Sequence, residues 1–123
     1  MLRVLVVDDE TFVLKTAYKL IRGMGYSVIV GKDGQQGLQL AFHYLPDLII
    51  SDALMPKMDG RELCALLKRE PATSKMKMVI MTAFTGAAKY KANVIREFQF
   101  DEHLQKPVEF EKLRAVLQKL LIQ

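Results

Sequence analysis

Short runs of consecutive apolar residues constrain the fold of this chain more than any other feature. The runs are Val4–Val7, Val28–Val30, Leu48–Ile50 and Met78–Met81, and a weaker one surrounds 100–104. Apolar side chains at consecutive positions need cover on both faces of a strand, which is typical of parallel sheets buried between helices. Longer stretches between the runs carry apolar residues three or four apart and predict amphipathic helices. The alternation predicts an α/β fold, a doubly wound parallel sheet of five strands with five helices.

The length and the cysteine content limit the possible classes further. The 123 residues suit one domain, 1–123, and the apolar runs are far shorter than the roughly 20 residues of a membrane helix. We therefore predict no membrane insertion. Cys64 cannot form an internal disulfide and lies at an apolar-spaced position of the third helix, so we predict a core residue in a reducing compartment, the cytoplasm. The last helix runs nearly to Gln123, so we expect no output domain after it.

The net charge of +4 raises the question of nucleic-acid binding. The basic residues are scattered, however, and form no run of five or more, so they are better explained as solvated helix faces. A dinucleotide-binding domain is also excluded, because the first apolar run is followed by Asp8-Asp9-Glu10 where a glycine-rich phosphate loop would be needed. We predict no direct contact with nucleic acid.

Polar side chains follow four of the runs at the points where the strands end. Asp8 and Asp9 follow the first run, Asp52 the third, Thr82 the fourth and Lys106 the fifth. The carboxyl ends of parallel strands meet at one edge of a sheet. We therefore expect three carboxylates, a hydroxyl and an ammonium group to converge there.

This set of groups suits phosphoryl chemistry with a hard divalent cation. Carboxylate oxygens are typical Mg²⁺ ligands, and Mn²⁺ is an alternative. Asp52 is a candidate nucleophile, while Thr82 and Lys106 could bind phosphoryl oxygens. Each residue alone also has a simpler interpretation. Asp8 and Asp9 could cap the next helix with Thr11 as a rival, and the other three could be a loop Asp, a strand-end Thr and a solvated Lys.

At this point the sequence resembles the receiver domain of two-component response regulators over essentially the whole chain. The motifs that carry the resemblance are Val7-Asp8-Asp9-Glu10, Asp52 followed by Met55-Pro56-Lys57-Met58-Asp59-Gly60, Thr82-Ala83 and Lys106-Pro107. The resemblance implies a flavodoxin-like (βα)5 fold with strand order 2-1-3-4-5. It also suggests a regulator of the stand-alone chemotaxis type, or a receiver cut from a longer protein.

The resemblance implies a role for each matching residue. Asp52 would accept a phosphoryl group from the phosphohistidine of a sensor histidine kinase or a phosphotransfer protein. Asp9, Asp52 and the backbone carbonyl of Leu54 would ligate Mg²⁺, and Asp8 would act through a bound water. Lys106 would contact the acyl phosphate.

The resemblance further implies how the signal is passed on. Thr82 would move toward the phosphoryl group on activation, and the small Ala83 would leave access to it. The peptide bond between Lys106 and Pro107 is expected to be cis. A downstream effector would read the face formed by the fourth helix, the fifth strand and the fifth helix.

Some positions depart from the family pattern. The switch position, usually Tyr or Phe, is His103, which is either a surface imidazole or a rotamer switch coupled to Thr82. Gln99-Phe100 replaces the usual Gly-Ala, and the connection from Thr82 to Lys106 is longer than usual. The output face therefore differs more from the family pattern than the phosphorylation site does.

The predicted function is a phosphorylation-dependent switch rather than an enzyme. The chain would catalyse only its own phosphorylation and a slow dephosphorylation, because the bulky Leu54 and Phe84 would restrict water access to the phosphoryl group. One alternative is a degenerate receiver used only for docking. The other is a small Mg²⁺-dependent phosphatase with Asp8 as its nucleophile and Glu10 as its second acid.

Overall fold

The computed structural model describes residues 1–55, 57–83 and 100–122. Five parallel strands form one sheet in the order β2-β1-β3-β4-β5, which confirms the predicted fold class and strand order. The strands are β1 (Arg3–Val7), β2 (Ser27–Gly31), β3 (Leu48–Asp52), β4 (Lys77–Thr82) and β5 (Glu102–Gln105).

Four helices are described in these residues, and none of them is long and apolar enough to cross a bilayer. They are α1 (Thr11–Gly23), α2 (Gly34–Tyr44), α3 (Gly60–Arg69) and α4 (Phe110–Leu121). The fourth of the five predicted helices falls in 84–99, outside the described residues. The predicted C-terminal helix is therefore the one labelled α4.

The last strand begins later than its apolar pattern predicts. The run around 100–104 places the strand from Phe100, but β5 starts at Glu102. Asp101 accounts for the difference, because its side-chain Oδ2 accepts a hydrogen bond from the Met78 amide at 2.7 Å. The Asp101 side chain thus binds the Met78 amide of β4, which would otherwise bond to a carbonyl of the neighbouring strand. The buried Phe100 packs into the core just before β5 begins.

The sheet separates two apolar cores, because successive residues of each strand point to opposite faces. Val4 and Val6 pack with α1 and α4, while Leu5 and Val7 pack with α2 and α3. Cys64 is buried in the second core, where burial raises the pKa of its thiol to about 12. This placement confirms its prediction as a packing residue. Cover on both faces explains why the strand sequences are apolar at consecutive positions.

Gly60 lets α3 begin directly against the end of β3. The side chain of Asp59 caps the helix by accepting hydrogen bonds from the amides of the two residues after Gly60, and the Gly60 amide donates to the Ala53 carbonyl at 3.1 Å. A Cβ atom at Gly60 would collide with the carbonyl oxygen of Asp52 and lie 2.9 Å from the Ser51 Oγ. The absence of a side chain at Gly60 therefore fixes how closely the helix approaches the strand that ends in Asp52.

We expect Gly60→Ala to lower the free energy of unfolding by about 1–3 kcal/mol, the usual cost of an overpacked site. The matched control is Gly23→Ala, since a Cβ atom there meets nothing within 4 Å. That control should be neutral or slightly stabilising, because Ala is the better helix former. Urea denaturation of both variants measures the difference. Equal stability of the two variants would contradict the close approach at Gly60.

Candidate functional site

The carboxyl edge of the sheet collects the polar residues that follow or end its strands. Asp8 directly follows β1, Asp52 ends β3, Thr82 ends β4 and Lys106 directly follows β5. Backbone hydrogen bonds hold two of these ends in register. The Asp8 amide donates to the Gly31 carbonyl at 3.1 Å, and the Lys106 amide donates to the Thr82 carbonyl at 2.9 Å. Four neighbouring strands thus deliver their polar ends to one side of the molecule.

The ammonium group of Lys106 lies at the centre of this edge. Its Nζ is 2.7 Å from Asp8 Oδ2, 3.3 Å from Asp52 Oδ1 and 3.4 Å from Glu10 Oε1. Burial disfavours the charged ammonium, but the hydrogen bond that Lys106 donates to Asp8 and the charges of both aspartates outweigh burial, so the pKa of Lys106 is raised. Lys106 therefore stays protonated at neutral pH and joins three carboxylates.

Asp8 is the buried member of the site. Its Oδ1 accepts a hydrogen bond from the Glu10 amide at 2.9 Å, which sets the turn from β1 into α1. Burial raises the pKa of Asp8 more than the hydrogen bond from Lys106 lowers it. The N-cap of α1 is Glu10, and no side chain makes a capping hydrogen bond there. The simpler interpretation of Asp8 and Asp9 as helix caps therefore finds no support in the geometry.

Asp52 is a carboxylate in an unfavourable environment. Burial is the main cause, and the negative charge of Asp8 adds to it, so that the pKa of Asp52 rises to about 6 despite the nearby Lys106. The ionised form is therefore the major one at pH 7 but carries a free-energy cost. A cation at this edge would relieve that cost.

Three carboxylates beside Asp52 lie close enough together to hold a metal ion. Oxygens of Asp8, Asp9 and Glu10 all lie within 4.8 Å of one another. Such hard oxygen donors fit Mg²⁺ or Mn²⁺. The family resemblance implies Asp9, Asp52 and the Leu54 carbonyl as direct ligands, whereas this cluster includes Glu10 and does not include Asp52. From the sequence, Glu10 belongs to a motif and is the second acid of the phosphatase alternative. Its position two residues after Asp8 is the signal that could have revealed a metal-binding role.

The other predicted residues surround this cluster. Thr82 is buried and follows Met81, the β4 residue paired with Asp52. The peptide bond between Lys106 and Pro107 is cis. Leu54 is 63% exposed beside the site. Phe84, the other residue predicted to limit water access, lies outside the described residues.

His103 lies in β5, two residues before the Gln105 that pairs with Thr82. Its ring is partly buried, and its Nδ1 is buried without a hydrogen-bond partner among the described residues. The nearest carboxylate oxygen is Oε1 of Glu102, at 3.9 Å, and Glu102 also binds Lys119 of α4 at 2.8 Å. The rotamer switch coupled to Thr82 stays a prediction.

An apolar recess opens beside the ammonium group of Lys106. It has a volume of about 360 Å³, and its walls are formed by the first turns of α1 and by the segment that follows β5. Phe12, Val13 and Val108 contribute apolar surface, and Glu10 and Lys106 form the polar end. Phe12 is strongly exposed for a phenylalanine. The recess offers an apolar contact surface next to the charged groups.

Comparisons with known proteins agree with this arrangement. The sequence model of the response regulator receiver domain matches residues 4–118. Response regulator MprA of Mycobacterium sp. is 31% identical over 97% of this chain and 50% of its own length, and Protein PilG of Pseudomonas aeruginosa is 30% identical over 94% and 84%. The structure of the chemotaxis protein CheY4 of Vibrio cholerae superposes with a TM-score of 0.90 at 28% identity, covering 98% of this chain and 99% of that one.

The chain spans about half the length of MprA and of other curated relatives that it matches. Receiver domains are signalling domains of two-component systems and are generally not true enzymes. As a family, they interact with histidine kinases and effectors. The matched range takes in the five strands except Arg3 of β1, and it contains the residues of the carboxyl edge. The chain belongs to the response regulator receiver domain family.

Proposed function

We propose that the chain is a phosphorylation-dependent switch in which Asp52 accepts a phosphoryl group from the phosphohistidine of a sensor histidine kinase or a phosphotransfer protein. The observation that carries the proposal is the position of Asp52. Its carboxylate lies 3.3 Å from the Lys106 ammonium group, at the edge where three further carboxylates gather. A phosphoryl group on Asp52 would meet a fixed positive charge there.

Exposure favours Asp52 over Asp8 as the nucleophile. The Asp8 side chain is 0% exposed and is held by Lys106 and by the Glu10 amide, whereas that of Asp52 is 11% exposed. A donor can reach Asp52 more readily. This difference supports the switch over the phosphatase alternative, which needs Asp8 to attack.

The donor set supports a divalent cation, Mg²⁺ or Mn²⁺, at the same edge. Asp8, Asp9, Glu10 and Asp52 supply carboxylate oxygens, and the Leu54 carbonyl is the backbone ligand that the family resemblance implies. Bound there, the cation would neutralise part of the negative charge of the incoming phosphoryl group. Asp8 would position it through a water or directly, while the exposed Asp9 and Glu10 would leave room for retained waters.

In the transfer itself, an Oδ atom of Asp52 attacks the phosphorus atom and the phosphorus–nitrogen bond of the phosphohistidine breaks. The bonding pair leaves with the imidazole. Lys106 binds a phosphoryl oxygen while Thr82 supplies a hydroxyl for another, which stabilises the charge of a loose transition state. Lys106 then exchanges part of its contact with Asp52 for contact with the phosphoryl group.

The response to phosphorylation would be a shift between two conformations. Thr82 ends β4 and so connects the phosphoryl group to the side of the sheet that carries β5. His103 lies on β5 and would take the switch position there. An effector would read the face that contains β5, α4 and the predicted fourth helix, which lies outside the described residues.

The recess beside Lys106 suits the docking of the phosphodonor protein. Exposed Phe12 and the apolar Val13 and Val108 give a contact surface, and Lys106 marks the polar end that a phosphohistidine would face. Docking there would bring the donor close to Asp52. We place the protein in the cytoplasm with its kinase partner, without direct nucleic-acid contact.

The first test is phosphorylation by a small donor. We expect acetyl phosphate with Mg²⁺ to add the mass of one phosphoryl group, measured by intact-protein mass spectrometry, because the site supplies its own catalytic groups. Asp52→Asn should abolish the addition. The control Glu62→Gln, at an exposed position of α3, should keep it.

Asp8→Asn separates the two possible nucleophiles. In a phosphatase, this change would block turnover of an external phosphate ester while Asp52→Asn would not. Ester turnover with that pattern, or a phosphoryl group that still attaches to Asp52→Asn, would refute the proposed switch.

The second test is thermal stabilisation by Mg²⁺. A ligand that binds only the folded chain stabilises it by about 1.4 kcal/mol at a tenfold excess over its Kd, which raises the Tm by on the order of 5 °C. We expect this rise at pH 8 and a smaller one at pH 5, where Asp52, with its pKa of about 6, takes up a proton. Asp9→Asn should weaken the response and Glu62→Gln should not. An unchanged Tm in saturating Mg²⁺ would count against the metal site.

The third test uses the cost of ionising Asp52 in the absence of metal. The pKa of Asp52 is about 6 in the folded chain and near its ordinary value of 3.8 in the unfolded chain. The folded state therefore binds more protons between these values and loses stability as pH rises through them. Asp52→Asn lacks this loss. We expect the free energy of unfolding of Asp52→Asn to exceed that of the original chain by about 1–3 kcal/mol at pH 8.

The stability difference between Asp52→Asn and the original chain should shrink toward pH 4, where the aspartate is protonated in both states. Urea denaturation with EDTA present measures it at each pH. A difference that does not depend on pH would show that the carboxylate is not strained by burial and by Asp8.

A further inference from the structure

We propose that the open edge of the sheet binds an acidic, extended segment of a partner protein. The surface is the groove between α1 and β2, called here the edge groove, and it takes no part in the proposed phosphoryl transfer. It has an apolar base and walls with a rim of lysines, formed by Leu14, Tyr18, Val30, Lys15, Lys19 and Lys32.

The base and walls of the edge groove offer apolar surface that the chain itself leaves open. Leu14 is buried at the base, while Tyr18 and Val30 stay 40% and 38% exposed. The volume of about 640 Å³ is large enough for several side chains of a ligand. A partner that inserts an apolar side chain between Tyr18 and Val30 would remove this surface from water.

The β2 strand also leaves backbone groups available. Among the described residues, β2 lies at the edge of the sheet and pairs with β1 alone. The Ser27 amide donates to the Leu2 carbonyl, and the Gly31 carbonyl accepts from the Asp8 amide, so these alternate residues face β1. The backbone groups of Val28 and Val30 therefore point to the open side. An extended segment satisfies such groups by adding a strand.

Charge selects an acidic partner. Residues 11–32 contain Lys15, Lys19, Arg22 and Lys32 and no acidic residue, so this stretch alone carries a charge equal to the net +4 of the whole chain. In the described part of the chain, the three lysine ammonium groups form no ion pair. Arg22 lies over the Tyr18 ring at 5.7 Å and donates to its hydroxyl, which adds a cation beside the groove. Glutamates on a bound strand would complement these charges.

The same charges disfavour a second copy of the chain as the occupant. Two edge grooves placed face to face would bring at least six lysines together without acids between them, and like charges repel. A phosphate-rich surface would satisfy the lysines but not the backbone groups of β2 or the apolar walls. An acidic strand satisfies all three features.

The probe is a short, end-blocked, fluorescent peptide of repeating Val-Thr-Glu-Thr, in which valine and glutamate share one face of the strand. It is titrated by anisotropy into the unphosphorylated, Mg²⁺-free protein. We expect binding that weakens as salt rises. Lys15→Gln/Lys19→Gln should lower the affinity about five- to tenfold, the effect of two lost charge pairs. The matched control Lys75→Gln/Lys112→Gln, at exposed lysines outside the groove, should change it by less than about twofold.

A second peptide with the same side chains and alternate amides methylated isolates the backbone contribution. It should bind much more weakly, because it cannot complete the ladder with β2. Failure of the first peptide to bind, equal binding of the methylated peptide, or equal effects of the two lysine pairs would overturn the proposal. Binding of duplex DNA or of phosphatidylserine vesicles at the groove, without binding of the peptide, would also overturn it. A dimer detected by sedimentation that Val30→Lys dissociates would do the same. Because the protein carries neither phosphate nor metal, these outcomes are independent of the proposed switch.

Discussion

The contact of one ammonium group with three carboxylates organises the functional edge of this protein. Lys106 bridges Asp8, Glu10 and Asp52, and so connects the ends of β1, β3 and β5 across the sheet. One positive charge cannot neutralise three negative ones. Burial, with the negative charge of Asp8 added to it, raises the pKa of Asp52 to about 6 even beside Lys106. The edge is therefore suited to gaining a further cation. The same groups that strain the resting site are those that would bind a metal and a phosphoryl group.

The fold could be predicted from the sequence because its strongest signals are local. The strand sequences are apolar at consecutive positions, and burial on both faces of a parallel sheet is the physical reason. The end of a strand then fixes where the next polar residue lies, so the convergence of Asp8, Asp52 and Lys106 also followed from the pattern. The late start of β5 could not be predicted, because it depends on the Asp101 side chain reaching an amide of another strand.

The finer composition of the site depends on side-chain directions that no spacing rule gives. Glu10 turns toward Lys106 and joins the acidic cluster because Asp8 holds its amide. From the sequence, Glu10 is a motif residue and the second acid of the phosphatase alternative. The direction of its side chain stays open there, because a helix-start residue can point to either side. From the sequence, Gly60 is only the second residue of an Asp-Gly turn. Its close approach to Asp52 could not be predicted, because it depends on how α3 packs against β3.

The two carboxylate oxygens of Asp8 bind different partners, so substitutions at position 8 differ in which of these contacts they remove. Oδ1 shapes the chain where α1 begins, and Oδ2 faces the ammonium group. An amide in place of the carboxylate keeps an oxygen for the first task but alters the second, whereas alanine removes both. Asparagine at position 8 thus reports on electrostatics, and alanine confounds electrostatics with backbone geometry. The comparison of the two substitutions would show how much of the loop conformation depends on a single carboxylate oxygen.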